Sequence, residues 1–255
     1  MIRRRALERL ARFFLIAAVV TVFGLFFSLF NVARRPLQIS EMISPGLGTS
    51  APTRFAVAAP PTLTPDLPLV ALLAGHSGGA DPGAICPDGL REVDVTTDVA
   101  QRAKTILEAR GYRVDILAEF DARLNSAKRD YAPRVFLALH ADSCVKYASG
   151  YKVARATNSA APDEDDRLVR CITSEYFAST QLPFHSDSIT TDMTHYHALN
   201  EIDPKSPGAI IELGFLGSEH ELLKNHRPLL AEGVANGIDD FMLGQSCKKA
   251  VDGKQ

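Results

Sequence analysis

The chain has 255 residues, of which 46% are hydrophobic and 23% are charged, and its formal net charge is −2. This length suffices for one α/β domain with additional segments, and the near-neutral charge excludes a strongly basic nucleic-acid-binding protein. Trp is absent and 7% of the residues are aromatic, which argues against a stacking platform for single-stranded nucleic acid. We therefore expect no nucleic-acid partner.

The N-terminus has the pattern of a membrane anchor. A basic stretch, residues 1–12, precedes an uncharged apolar run over residues 13–33. The run has about 20 residues, the length of a transmembrane helix and more than the core of a signal peptide. Arginines are more numerous before the run than directly after it, so we predict a cytoplasmic N-terminus and a single-pass signal anchor in the cell membrane. The alternative is a long cleaved signal peptide, and either one exports the rest of the chain, which would be secreted if cleavage occurs.

A Pro-rich segment, residues 34–67, follows the apolar run, with Ser, Thr, Gly and Ala between its prolines. Such a composition does not pack a core and favours an extended chain, so we predict an extracytoplasmic linker. We predict the folded domain over residues 68–245 and a polar tail over residues 246–255.

Short apolar runs alternate with amphipathic stretches throughout the predicted domain. They predict strands at residues 69–73, 112–117, 135–139, 150–156 and from 209 to 211 onward. They predict helices over residues 93–110, 123–131, 163–181, 219–224 and 228–243. This alternation predicts a single α/β domain with a mostly parallel central sheet and helices on both faces.

Polar side chains stand where apolar elements of this domain begin or end. These residues are His76, Glu92, His140 and Glu212. Open α/β sheets bind ligands beyond the carboxyl ends of their strands. Two His and one Glu are a common catalytic zinc set, and a further Glu can act as general base. The alternative is that each His is a hydrogen-bonded structural residue, because such wide spacing is not diagnostic of a metal.

Four segments resemble those of the zinc-dependent type-3 N-acetylmuramoyl-L-alanine amidases, in the order expected for that family. They read Gly-His-Ser-Gly-Gly at 75–79, Gly-Leu-Arg-Glu at 89–92, Leu-His-Ala-Asp at 139–142 and Glu-Leu-Gly-Phe at 212–215. The resemblance implies one Zn²⁺ ion bound by three of the polar residues, with Glu212 as catalytic base. It also implies a bacterial cell-wall hydrolase that cuts the amide bond between N-acetylmuramic acid and L-alanine in peptidoglycan.

The chain departs from the family pattern at several positions. Leu73 and Ala74 stand where the family has Asp-Pro, and Val93 stands in place of a Lys. Asp142 replaces an Asn, and the Thr-Arg pair expected after the second strand is missing from residues 117–120. None of these changes removes a ligand or the base, but they leave the fine substrate preference open.

Two histidines near the end of the domain, His195 and His197, are candidates for substrate contacts. On a strand they would share a face, where they could contact the substrate or its tetrahedral oxyanion. The alternative is a polar loop at the rim of the pocket. Residues 156–166 leave room for a small lid.

The four cysteines permit disulfides in an exported protein. The metal implied by the resemblance would bring the segments that carry Cys86 and Cys144 together, so we predict a disulfide between them. Cys171 is either a buried free thiol or the partner of Cys247.

Other functions stay open at this stage. One is a zinc peptidase that acts on another peptidoglycan amide, and a second is a catalytically silent, membrane-tethered wall-binding module. The complete set of three ligands and a base argues against the second. The sequence identifies no protein activator and no oligomeric state.

Overall fold

The computed structural model describes residues 66–124 and 131–247. The predicted cytoplasmic stretch, the predicted signal anchor and nearly all of the predicted linker lie outside these residues, as does most of the predicted helix over 123–131. Its first two residues, Arg123 and Leu124, belong to a short 3-10 helix, Ala122–Leu124. No helix in the described ranges has the length and apolar character needed to cross a membrane.

The domain is built on a mixed five-stranded sheet with the order β2-β1-β3-β5-β4. The strands are β1 (Leu69–Ala74), β2 (Arg113–Leu117), β3 (Val135–Asp142), β4 (Lys152–Ala154) and β5 (Gly208–Phe215). The pairs β1–β2, β1–β3 and β3–β5 are parallel, while β4 runs antiparallel to β5 at the edge. The carboxyl ends of the four parallel strands therefore meet along one edge of the sheet.

Three long helices cover one face of this sheet. They are α1 (Glu92–Ala109), α2 (Pro162–Thr180) and α6 (Arg227–Met242, numbered after the short helices below). In α1 the buried positions recur at helical spacing, which turns one apolar side toward the sheet. Helices α2 and α6 pack closely because Gly237 lacks a side chain, and a Cβ there would lie 2.7 Å from Ile172 Cα.

Short helices cover the opposite face. They are α3 (Thr191–Thr194) and α4 (His197–Glu201), which join the 3-10 helix at Ala122–Leu124 in a smaller apolar cluster. Helix α5 (His220–Asn225) follows β5. Helices therefore lie on both faces, as predicted, but all the long ones lie on one. The strand considered for residues 193–197 is wrong, because these residues form the junction between α3 and α4.

Candidate metal centre

His76 is held in place by its backbone as well as by its ring. It lies just after β1 and has a φ of 63°, a left-handed conformation that side-chain-bearing residues seldom adopt. Its amide donates a hydrogen bond to Glu119 Oε2 at 2.6 Å. Its ring Nε2 lies 3.4 Å from Glu92 Oε2, and its Nδ1 lies 3.3 Å from Asp81 Oδ2. The ring is thus fixed between two carboxylates.

Glu92 connects the two predicted histidine ligands. It is buried at the first position of α1, and its Oε1 lies 3.0 Å from His140 Nδ1. Backbone amides of Ala84 and Ala141 donate to its two oxygens, each at 3.0 Å. Burial raises the pKa of Glu92, but hydrogen bonds and attraction from His140 and His76 outweigh it and bring the pKa to about 2. The carboxylate is therefore ionised at neutral pH.

Glycine makes room for the three side chains. A Cβ at Gly75 would lie 2.5 Å from His140 Cε1, so even alanine would displace that ring. At Gly83, which has a φ of 71°, a Cβ would collide with Glu92 Oε2. Both glycines belong to the loops after β1 whose pattern resembles the amidases, and their role is to let the backbone pass directly beside the ligand set.

The three residues fit a divalent metal ion. One ligand atom from each of His76, Glu92 and His140 lies within 4.8 Å of the other two. Two imidazole nitrogens and one carboxylate oxygen are a donor set that zinc favours in catalytic sites. The hydrogen bond to Glu92 raises the pKa of His76, burial opposes it, and nearby carboxylates bring it to about 9. The carboxylates of Glu92, Glu119 and Asp81 therefore make the site negative, and a bound cation would compensate this charge.

A second group with suitable geometry does not qualify as a metal site. Cys86, Asp88 and His220 also place one donor atom each within 4.8 Å of the others. Cys86 is, however, bonded to Cys144 in a disulfide, so it has no thiolate to offer.

Glu212 lies on β5 next to the metal-binding residues, in register with His140 on β3 and with Lys152 on β4. Its Oε2 is buried and has no hydrogen-bond partner among the residues that the structure describes. Burial raises the pKa of Glu212, His140 lowers it, and Glu92 and Asp142 raise it further, to about 7. A carboxyl group with this pKa can take up and release a proton near neutral pH.

The departure at Asp142 has a local partner. The Lys152 ammonium forms an ion pair with the Asp142 carboxylate and lies 5.2 Å from the centre of the Phe215 ring. Lys152 is buried, so the charge that replaces the neutral Asn of the family pattern is compensated inside the protein.

The structure separates the two candidate histidines. His197 begins α4, and its Nε2 lies 3.0 Å from Glu119 Oε1, near the metal-binding residues. His195 is exposed at the end of α3, where its Nδ1 lies 3.1 Å from the Thr191 carbonyl oxygen. The two rings do not share a face, because the backbone between them turns from one short helix into the next.

Two residues of the site were missed from the sequence. Glu119 was noted only as part of a departure from the family pattern, yet it is buried beside both histidine ligands, and its Oε2 lies 3.8 Å from His140 Nε2. The Tyr196 hydroxyl lies 3.2 Å from the same nitrogen. A signal for Glu119 was present, since it follows β2 at the same carboxyl edge of the sheet.

Two disulfides fasten the domain. Cys86–Cys144 joins the loop before Glu92 to the segment after His140, with a Cα–Cα distance of 5.4 Å. Cys171–Cys247 ties the end of the described chain to α2. The first therefore braces the metal-binding segments, and the second braces the long-helix side.

Comparison with known proteins identifies the family. The family model for N-acetylmuramoyl-L-alanine amidases matches residues 70–240. Over 82 residues the chain is 39% identical to N-acetylmuramoyl-L-alanine amidase AmiC of Neisseria meningitidis serogroup B, which covers 30% of this chain and 19% of that protein. The chain thus matches only about a fifth of the length of this curated relative.

Solved structures share the fold. The amidase Ami1 from Mycobacterium smegmatis superposes with a TM-score of 0.58 at 20% identity, covering 70% of this chain and 98% of that one. AmiC2 of Nostoc punctiforme gives 0.53 at 22% identity, covering 69% and 97%. The CwlD amidase from Clostridioides difficile, solved in complex with the GerS lipoprotein, gives 0.55 at 20% identity, covering 70% and 100%. With the family model matching most of its length, this chain belongs to the N-acetylmuramoyl-L-alanine amidase family.

Proposed function

We propose that this chain is a zinc-dependent hydrolase that cuts the amide bond between N-acetylmuramic acid and L-alanine in peptidoglycan. The observation that carries the proposal is the convergence of His76, Glu92 and His140 beside a buried carboxylate oxygen of Glu212 that has no hydrogen-bond partner within residues 66–124 and 131–247. Membership in the amidase family supports the identity of the bond that is cut.

The three ligand residues would hold one zinc ion. When bound, the ion supplies a Lewis acid that polarises the scissile carbonyl and acidifies water. Glu92 is ionised and fixed by two backbone amides, so it offers a preformed anionic ligand. His76 and His140 must each present an unprotonated nitrogen, so zinc competes with protons at these rings, whose pKa values the neighbouring carboxylates raise in the metal-free protein.

Glu212 performs the proton transfers. As the water oxygen attacks the lactyl carbonyl carbon, the Glu212 carboxylate accepts a proton from that water. When the carbon–nitrogen bond breaks, Glu212 returns the proton to the departing amino group of L-alanine. In the metal-free protein its pKa of about 7 lies near neutral pH, so the group can both accept and release a proton there.

The test is the identity of the products. The purified full-length chain is incubated with peptidoglycan under three conditions: without chelator, with chelator, and with chelator followed by added zinc. The newly freed amino termini are then identified. We expect L-alanine termini that disappear with chelator and return with zinc. Freed termini of other residues would replace the proposal with a zinc peptidase. A zinc-loaded protein that binds peptidoglycan and releases nothing would replace it with a silent wall-binding module.

We also propose that residues 13–33 anchor the protein in the cell membrane and that residues 34–67 hold the domain away from it. The support is the sequence alone: an uncharged apolar run long enough to span a bilayer, preceded by a basic stretch. Mass spectrometry of the protein purified from membranes should give an N-terminus before residue 13. A mature chain that begins beyond Arg35 would show that the segment is cleaved and the protein released.

A further inference from the structure

One buried carboxylate, Glu119, is linked by hydrogen bonds to both histidine ligands, directly to the backbone of His76 and through Tyr196 to the ring of His140. Its Oε2 accepts the hydrogen bond from the His76 amide at 2.6 Å. Its Oε1 accepts one from the Tyr196 hydroxyl. That hydroxyl lies 3.2 Å from His140 Nε2. Glu119 is only 8% exposed, so water does not compete strongly for these contacts.

The two ring nitrogens of His140 contact different partners. Nδ1 lies 3.0 Å from Oε1 of the ligand residue Glu92, whereas Nε2 faces the Tyr196 hydroxyl. Because the Tyr196 hydroxyl gives its proton to Glu119, its oxygen is left to accept a hydrogen bond from Nε2. A proton fixed on Nε2 leaves Nδ1 as the nitrogen with a free electron pair for a metal.

The contact to His76 acts on the backbone. The left-handed φ of this residue is unfavourable for a side-chain-bearing residue and persists only where the surroundings enforce it. Two bonds tie the loop after β2 to the loop after β1, one from the His76 amide to Glu119 and one from the Glu119 amide to the Ser77 carbonyl at 3.1 Å.

From these contacts we propose that Glu119 is a positioning residue of the metal centre. It fixes the tautomer and orientation of His140 through Tyr196, and it holds the backbone that presents His76. Outer partners of this kind orient the ligands of a metal and strengthen its binding. The inference rests on the proposed function, because it assumes that the three ligand residues bind zinc. It adds a carboxylate at a position where the family pattern has a different residue.

The experiment measures zinc affinity in the full-length chain by competition with a chromogenic chelator. We expect Glu119→Ala and Tyr196→Phe each to weaken zinc binding by about 10–100-fold. Glu119→Gln should weaken it less, since an amide oxygen still accepts one of the hydrogen bonds that the carboxylate accepts from His76 and Tyr196. The matched control is Asp121→Asn, which alters a carboxylate two residues away whose side chain bonds to Arg123, and it should leave the affinity unchanged.

Nitrogen NMR of histidine-labelled, zinc-loaded protein separates positioning from simple structural support. In the wild type we expect His140 to carry its proton on Nε2, and in Tyr196→Phe we expect that proton to exchange faster with water. The proposal is overturned if both variants fold normally, bind zinc within about twofold of the wild type and leave the His140 signals unchanged. A wild type that binds no zinc would instead overturn the proposed function.

Discussion

The two faces of the central sheet are covered in different ways. One face packs against α1, α2 and α6 through many fully buried apolar side chains. The other is covered by α3, α4 and a 3-10 turn through a smaller apolar cluster. His140 lies two residues after Ala138 on β3, and Glu212 lies two residues after Ile210 on β5, so both share the face of this smaller cluster, the thinly covered one. Stability thus comes mainly from one face, whereas His140 and Glu212 of the candidate site lie on the other.

The largest expected effect comes from removing apolar volume on the long-helix side, which tests whether that face supplies stability but not zinc binding. Leu137 on β3 is fully buried in that cluster, and its neighbour Ala138 points to the opposite face of the sheet. We expect Leu137→Ala to lower the free energy of unfolding of the metal-free protein by about 2–5 kcal/mol, because it leaves a cavity. Zinc affinity of the folded variant should be unchanged. Urea denaturation measures the first, and chelator competition measures the second.

The matched control for this change is Leu229→Ala, which alters a leucine that is 40% exposed on α6 and should cost little. If Leu137→Ala weakened zinc binding while its stability stayed at the wild-type level, the long-helix face would not be the main source of stability, and its packing would affect the metal centre.

The two disulfides offer a comparison of matched chemistry, because both lie against the long-helix cluster but only one joins metal-binding segments. Replacing Cys86 and Cys144 by Ser, or Cys171 and Cys247 by Ser, should each cost about 2–4 kcal/mol of stability, because each removes a long-range crosslink. Only the first pair joins the segments that carry Glu92 and His140. We therefore expect weaker zinc binding in the first variant alone, and equal zinc affinity in both would contradict this assignment.

The pH dependence of stability reports on Glu212. Its pKa is about 7 in the folded metal-free protein and about 4.5 when unperturbed. Between these values the unfolded carboxyl has lost its proton while the folded one keeps it, so stability falls as the pH rises through this window. Glu212→Gln removes this loss. We expect the variant to gain about 1–3 kcal/mol on the wild type between about pH 4 and about pH 8.

Urea denaturation at several pH values measures this difference. Glu232→Gln, an exposed carboxylate on α6, serves as the control and should follow the wild type at every pH. A difference between Glu212→Gln and the wild type that stays constant with pH would mean that Glu212 is not held in a protonated, buried state.

The smallest expected effect concerns the space beside His140. Gly75→Ala places a methyl group against the His140 ring, so zinc affinity should fall by about tenfold or more, a free energy of about 1.4 kcal/mol. The nearby Gly79→Ala is the control, because a Cβ there meets nothing closer than the Asp81 amide nitrogen at 4.0 Å. Equal zinc affinity in both variants would show that the ring can move aside without cost.

The same contrast explains what could be predicted from the sequence. The long helices repeat an apolar side over several turns, so their periodicity predicts them to within one or two residues of their observed ends. Helices α3 and α4 have 4 and 5 residues, too few to show a period. The antiparallel direction of β4 also could not be predicted, since a strand of 3 residues does not encode which way it runs.

For the site, position at the end of a strand predicted most of the residues that meet. His76, His140 and Glu212 were found in this way, and the structure brings them together with Glu92. Glu119 also follows a strand, but from the sequence its segment was identified only as one that lacks the Thr-Arg pair of the family. Tyr196 could not be found, because its place depends on a side-chain contact to Glu119 rather than on any local pattern.

The central claim is that Glu212 acts as the base beside a zinc ion held by His76, Glu92 and His140. The most direct measurement is zinc content together with release of L-alanine termini, for the wild type, Glu212→Gln and His140→Ala. We predict that Glu212→Gln keeps one zinc ion per chain and releases termini about 10²–10⁴-fold more slowly, and that His140→Ala loses both zinc and activity. Wild-type release by Glu212→Gln, or full zinc content in His140→Ala, would contradict the claim.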